Sequence, residues 1–198
     1  MTQICKKHSR NSLIRGIRVK LPPPFQRILC YNTTMKRIFA PWRMKYIESH
    51  SDEGCIFCAV QKQSDGPETL VIHRGERAFV IVNRFPYTSG HLMVVAAAHQ
   101  PSLEDLDSAT RTEMMELMTQ CIRVLRQVYR PQGFNLGANI GEVAGAGIAR
   151  HVHLHVVPRW GGDANYMSTV AETRVLPEML EETYRRVRAA WGSVSSKQ

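Results

Sequence analysis

The sequence predicts an α+β fold: an antiparallel sheet with one long helix packed on it and a second helix closing the C-terminal end. Three observations predict it. Short aliphatic and β-branched runs recur between residues 69 and 97, joined by links too short for a parallel crossover. Residues 108 to 130 carry apolar side chains at the spacing of one helical face. Residues 151 to 157 alternate histidine with aliphatic residues at strand period.

In chain order, Thr69 to His73, Ala78 to Val82 and His91 to Ala97 read as strands. Arg74-Gly75-Glu76 and the turn Pro86-Tyr87-Thr88-Ser89-Gly90 separate them. The long helix opens at Ser108, a residue type that caps N-termini, and ends before Pro131. Met114, Leu117, Met118, Cys121, Ile122, Leu125, Val128 and Tyr129 form its apolar face, so Cys121 reads as packing rather than as a nucleophile. Phe134 to Ala138 and His151 to Val157 supply the last two strands, and Leu176 to Trp191 the closing helix.

At 198 residues, 43% of them hydrophobic, the chain is long enough for one domain with a real core. The charge is uneven: residues 1 to 47 hold eleven Lys and Arg and no acid, the first being Glu48. The remaining 15 basic residues stand against 17 Asp and Glu, so the net charge of +9 comes from residues 1 to 47. The folded part therefore gives no global argument for binding nucleic acid.

Residues 1–34 are expected to be a basic, disordered extension, and 35–198 the folded domain. Three readings of the extension stay open. It resembles an organellar transit peptide, but serine is sparse; Met35 also looks like a natural start; a nucleic-acid-binding arm is the third. No apolar run reaches the roughly 18 residues of a membrane span. The five cysteines are an odd set with one close pair, which argues for a reducing compartment, and the expected address is cytoplasmic.

The run His151-Val152-His153-Leu154-His155-Val156-Val157-Pro158-Arg159 carries the chemistry. At strand period the three imidazoles share one face and the aliphatics the other. The outer pair then sits about 13 Å apart, too far for all three to bind one metal. A row of neutral imidazoles instead suits nucleophilic attack and proton handling near pH 7, while solvated polar residues on an edge strand would be the bland alternative. Cys55-Ile56-Phe57-Cys58 has the spacing of two thiolates on one tetrahedral zinc, and by itself equally fits redox use or burial.

The alternating histidine pattern resembles the signature of the histidine triad (HIT) family of nucleotide hydrolases and transferases. Asn83-Arg84-Phe85-Pro86-Tyr87-Thr88-Ser89-Gly90-His91 is similar to the upstream strand and turn of that family. Ala40-Pro41-Trp42-Arg43-Met44 and Arg159-Trp160-Gly161-Gly162-Asp163-Ala164-Asn165-Tyr166 resemble its diadenosine tetraphosphate phosphorylase branch.

The resemblance implies an antiparallel HIT sheet in a homodimer and an enzyme passing AMP through a covalent histidine intermediate. His153 corresponds to the nucleophile, His155 to a contact of the same phosphate and His91 to its partner across the sheet. Asn83 matches the residue that holds the ribose. Asn139, Gly145 and Gly147 match the phosphate loop, although Gly147 stands where relatives often carry a serine whose hydroxyl bonds the α-phosphate. Zinc-containing members add a histidine after the Gly-His strand and the first triad histidine, here His99 and His151, to the cysteine pair. His8, His50 and His73 match no role.

The expected substrate is diadenosine tetraphosphate, with inorganic phosphate as acceptor, ATP and ADP as products and magnesium accompanying the nucleotide. Arg159 is the candidate to hold the incoming anion. Hydrolysis of a dinucleoside polyphosphate or of an AMP-lysine phosphoramidate is the alternative chemistry. A nucleotide-binding adaptor and a metallohydrolase are the alternatives of other classes.

Overall fold

In the computed structural model the described residues are 12–14, 17–19, 54–164 and 177–195. The chain divides into two units, Met1–Phe39 and Ala40–Gln198. In the first, β1 (Ser12–Ile14) pairs antiparallel with β2 (Ile17–Val19). The rest of the expected extension, Trp42 and the stretch from Asn165 to Leu176 lie outside the described residues.

The second unit is built on a five-stranded antiparallel sheet. Its strands are β3 (Val71–Arg74), β4 (Ala78–Val82), β5 (Leu92–Ala96), β6 (Gly133–Gly137) and β7 (His153–Arg159). Their spatial order is β3-β4-β5-β7-β6, so the strand of histidines lies inside the sheet, paired on both sides. Every residue of β4 and β5 is buried, which explains their near-continuous Val, Ile, Leu and Ala content. The α+β expectation is met.

Helix α1 (Ile56–Gln61) precedes the sheet. Helix α2 (Ser108–Tyr129) packs on β4, β5 and β7, burying Met114, Leu117, Met118, Cys121, Val124 and Leu125. Ile122, Val128 and Tyr129 of the expected face are partly buried at its margin. Asp107, not Ser108, is the N-cap: its carboxylate accepts from the Thr110 N–H at 2.7 Å. The helix ends as expected, with Arg130 in the left-handed conformation just before Pro131. Burial pushes the Cys121 thiol far up, so it stays protonated and inert.

Two glycines let α2 approach the hairpins. Glu113 accepts from the Arg77 and Ala78 backbone N–H groups, and a Cβ at Gly75 would collide with its carboxylate. Gly90 has φ +78°, and a Cβ there would meet the Tyr129 ring at 3.0 Å.

Helix α3 (Leu180–Ser195) closes the fold, burying Val187, Ala190 and Trp191. Trp191 stacks on His73, with ring centroids 5.2 Å apart. Glu178 binds the Tyr129 hydroxyl, the Thr183 hydroxyl and the Arg186 guanidinium, which fixes the start of α3 against the end of α2. No helix among the described residues is long and apolar enough to cross a membrane.

Candidate active site and metal centre

The sheet register brings the histidines together. Strand β7 begins at His153, two residues later than the sequence pattern suggests, because His151 turns out of the ladder just before it. His153 lies opposite Val95, and His155 opposite Met93 on one side and Gly137 on the other. The two rings sit 4.9 Å apart. His91, just ahead of β5, brings Nε2 to 3.0 Å from His155 Nδ1.

His153 is 5% exposed, and its Nδ1 lies 2.9 Å from the His151 backbone oxygen. A carbonyl can only accept, so Nδ1 carries the hydrogen and Nε2 keeps the lone pair. Burial lowers the pKa of His153, opposed by this hydrogen bond. His155 is pushed down to about 4, first by burial and then because a proton on it would be repelled by one on His153. Both rings are thereby held neutral, the form in which an imidazole attacks phosphorus or offers one N–H.

The turn between β4 and β5 is ordered around His91. The Tyr87 backbone N–H donates to His91 Nδ1 at 3.1 Å. Asn83 Oδ1 accepts from the Phe85 N–H at 2.9 Å, and its Nδ2 lies 3.3 Å from His91 Nδ1. Thr88 donates its hydroxyl to the Pro158 carbonyl at 3.0 Å, pinning the turn onto β7. The Tyr87 ring packs 4.6 Å from His91 and 5.9 Å from His155. Asn83, expected at the ribose, thus uses both ends of its amide inside the turn.

Tyr87 is the site residue that sequence reading missed. Its main contact is a backbone N–H, which leaves no mark on residue type. Phe57 and Phe79 are buried in the core, whereas Phe85 is exposed. Phe57 lies against His153 and His151, at 5.1 and 5.3 Å between centroids.

A cavity of about 250 Å³ opens beside His155, walled in part by Tyr87, Asn139 and Arg159. Asn139 donates to the Gly145 carbonyl at 3.3 Å, which anchors the glycine loop near this opening. The loop contains a 3-10 turn, Glu142–Ala144, flanked by Gly141 and Gly145 at φ +82° and +86°. Gly147 is exposed in the same loop. Arg159 grips both carboxylate oxygens of Asp163 at 2.6 and 2.7 Å and donates to Asn135 Oδ1 at 2.6 Å. Two of its five N–H donors stay available among the described residues.

The second cluster sits at the other end of the histidine row. Cys55 is the N-cap of α1, and Cys58 follows one turn later. Cys55 Sγ lies 3.2 Å and Cys58 Sγ 3.7 Å from His151 Nδ1, and Cys58 Sγ lies 3.3 Å from His99 Nδ1. All four donor atoms fall within 4.8 Å of one another. A tetrahedral ion with two sulfur and two nitrogen ligands has edges of about 3.6 Å, so the set fits one metal. His151 Nε2 lies 2.8 Å from the Ala96 carbonyl, which assigns its hydrogen to Nε2 and turns the Nδ1 lone pair toward the cysteines.

The model of the HIT domain matches residues 65–162. An AP-4-A phosphorylase of Mycobacterium tuberculosis is 37% identical over 176 residues, 84% of this chain and 90% of the relative. The chain belongs to the HIT family. A zinc-bound HIT protein of Mycobacterium smegmatis is 29% identical, with a TM-score of 0.59 over 75% of this chain and all of that one. A hypothetical histidine triad nucleotide-binding protein of Sulfolobus tokodaii, at 23% identity and TM-score 0.59 over 72% of this chain and 95% of its own, shares the HIT fold.

Proposed function

We propose that this HIT protein cleaves diadenosine tetraphosphate by phosphorolysis. The observation that carries the reading is the 37% identity over 84% of the chain to a relative named AP-4-A phosphorylase. The site supports it, because His153 combines a buried, neutral ring with a fixed Nδ1–H and a free Nε2 lone pair.

In this reading His153 Nε2 attacks the α-phosphorus, the bond to the bridging oxygen breaks, ATP leaves and AMP stays on the ring. An oxygen of inorganic phosphate then attacks the same phosphorus, forming ADP and restoring His153. Splitting one displacement into two replaces a difficult step by two easier ones. His155 binds the reacting phosphate, and His91 holds His155 from across the sheet. Asn139 and the amides of the loop through Gly145 and Gly147 hold its oxygens, compensating for the absent serine hydroxyl. Asn83 reaches the ribose after releasing His91, and Arg159 uses its remaining donors on the incoming anion.

Zinc fits the Cys55, Cys58, His99 and His151 set as a structural ion tying α1 to the start of the catalytic strand. Magnesium arrives with the polyphosphate. The enzyme works in the reducing cytoplasm, where the free thiols of Cys55 and Cys58 persist as ligands. It works as a homodimer, favoured by the open edge of β6 and by Leu136, Ile140 and Val143 exposed beside it.

Labelled phosphate tests the reaction. Supplied with diadenosine tetraphosphate, it is expected in the β-position of ADP, with an equal amount of ATP. AMP formed at the same rate with or without phosphate, and no labelled ADP, would make the chain a hydrolase.

A further inference from the structure

The turn between β4 and β5 directs a hydrogen-bond donor at one imidazole nitrogen of His91. A backbone N–H is a donor whatever the tautomers, and that of Tyr87 meets His91 Nδ1 at 3.1 Å. Asn83 is oriented without ambiguity: Oδ1 accepts from Phe85 N–H, so the NH2 group faces His91, 3.3 Å from Nδ1 and 3.4 Å from Nε2. Nδ1 must therefore be bare, and the hydrogen of His91 lies on Nε2.

That hydrogen points at His155 Nδ1, 3.0 Å away. His155 Nδ1 is then an acceptor, so the neutral ring carries its own hydrogen on Nε2. No protein bond occupies His155 Nε2 among the described residues, and the side chain lines the cavity. The tautomers of both rings thus follow from the Tyr87 N–H in the turn.

We propose that Tyr87 is a positioning residue: its backbone N–H, through His91, makes His155 present Nε2–H to the oxygen that leaves the α-phosphorus. The inference rests on the nucleotidyl-transfer reading above. His155 lies beside His153, their rings 4.9 Å apart, so its Nε2–H is a side-chain donor at the reacting phosphate. A fixed donor aimed where negative charge develops needs no reorganisation during the step. The Tyr87 ring, packed against both imidazoles, keeps them in line.

Nitrogen-15 NMR of the full chain as purified tests the relay independently of turnover. The expected result is Nδ1 bare and Nε2 protonated in both His91 and His155, with a scalar coupling across the hydrogen bond from the Tyr87 amide to His91 Nδ1. His91→Gln, whose carbonyl can accept from Tyr87 and whose amide can donate to His155, should keep the His155 signature. His91→Leu should lose it.

Two AMP esters supply the kinetic readout: p-nitrophenyl, whose leaving group needs no donor, and a simple alkyl, whose leaving group does. In His91→Leu the ratio of the two rates should shift by about 100-fold toward the nitrophenyl ester. A hydrogen on His155 Nδ1 in the wild type, absence of the Tyr87 coupling, or an unchanged ratio in His91→Leu would overturn the proposal. Failure of diadenosine tetraphosphate as a substrate alongside the expected NMR pattern would overturn only the function reading.

Discussion

The backbone oxygen of His151 accepts the Nδ1–H of His153 at 2.9 Å. The same residue offers its side-chain Nδ1 to Cys55 and Cys58 and its Nε2–H to Ala96. The proposed metal site and the aim of the proposed nucleophile therefore meet in one residue.

The purified protein is expected to carry about one zinc per chain. Removing it should lower the melting temperature and reduce kcat more than it raises KM, because His151 no longer fixes the His153 ring. Elemental analysis, thermal melts and kinetics with and without a chelator check this. Zinc-free protein of full stability and activity would refute it.

His153→Ala should reduce turnover by about 10⁴-fold or more while the fold and nucleotide affinity persist. The wild type mixed rapidly with substrate should show an AMP adduct by mass spectrometry, and the variant none. Substantial turnover by pure variant would remove His153 from its role.

Folding keeps His155 neutral, with its pKa held at about 4 against an ordinary value of 6.5. The unfolded chain then takes up the proton first as pH falls. Its contribution to stability is complete above about pH 6.5 and is lost between there and about pH 4. Urea unfolding at pH 7.5, 6 and 5 should show wild type losing stability more steeply than His155→Gln. Parallel slopes would contradict it.

Gly90→Ala should cost about 1–2 kcal/mol, since φ is +78° and the new methyl meets the Tyr129 ring. The shift passes to His91, the next residue, so activity should fall as well. Denaturant melts and kcat measure the two effects.

A chain beginning at Met35 should fold and keep full activity, because every motif assigned a role lies beyond it. An inactive or insoluble product beside an active full chain would assign residues 1–34 to the enzyme.

The sheet, both long helices and the histidine row were legible because each follows from periodicity: two for β7, 3.6 for α2. The metal cluster was legible only through family resemblance, since the spacing of Cys55 and Cys58 says nothing of His99, 41 positions from Cys58. The α2 cap was misplaced by one residue because Asp107 and Ser108 are both capping types, and only the Thr110 contact separates them. The clamp of Asp163 on Arg159 was hidden because i,i+4 pairing is diagnostic in a helix, whereas this pair lies across a strand end and a turn. Tyr87 was invisible for the reason given above, its principal contact being made by the main chain.

With β7 laddered on both flanks, His153 and His155 ride on an element whose amides should exchange with deuterium only when the whole domain opens. The loop from Asn139 to Gly147 is held instead by a few local hydrogen bonds. Local opening in this domain is therefore expected at that loop first, over a histidine strand that stays closed.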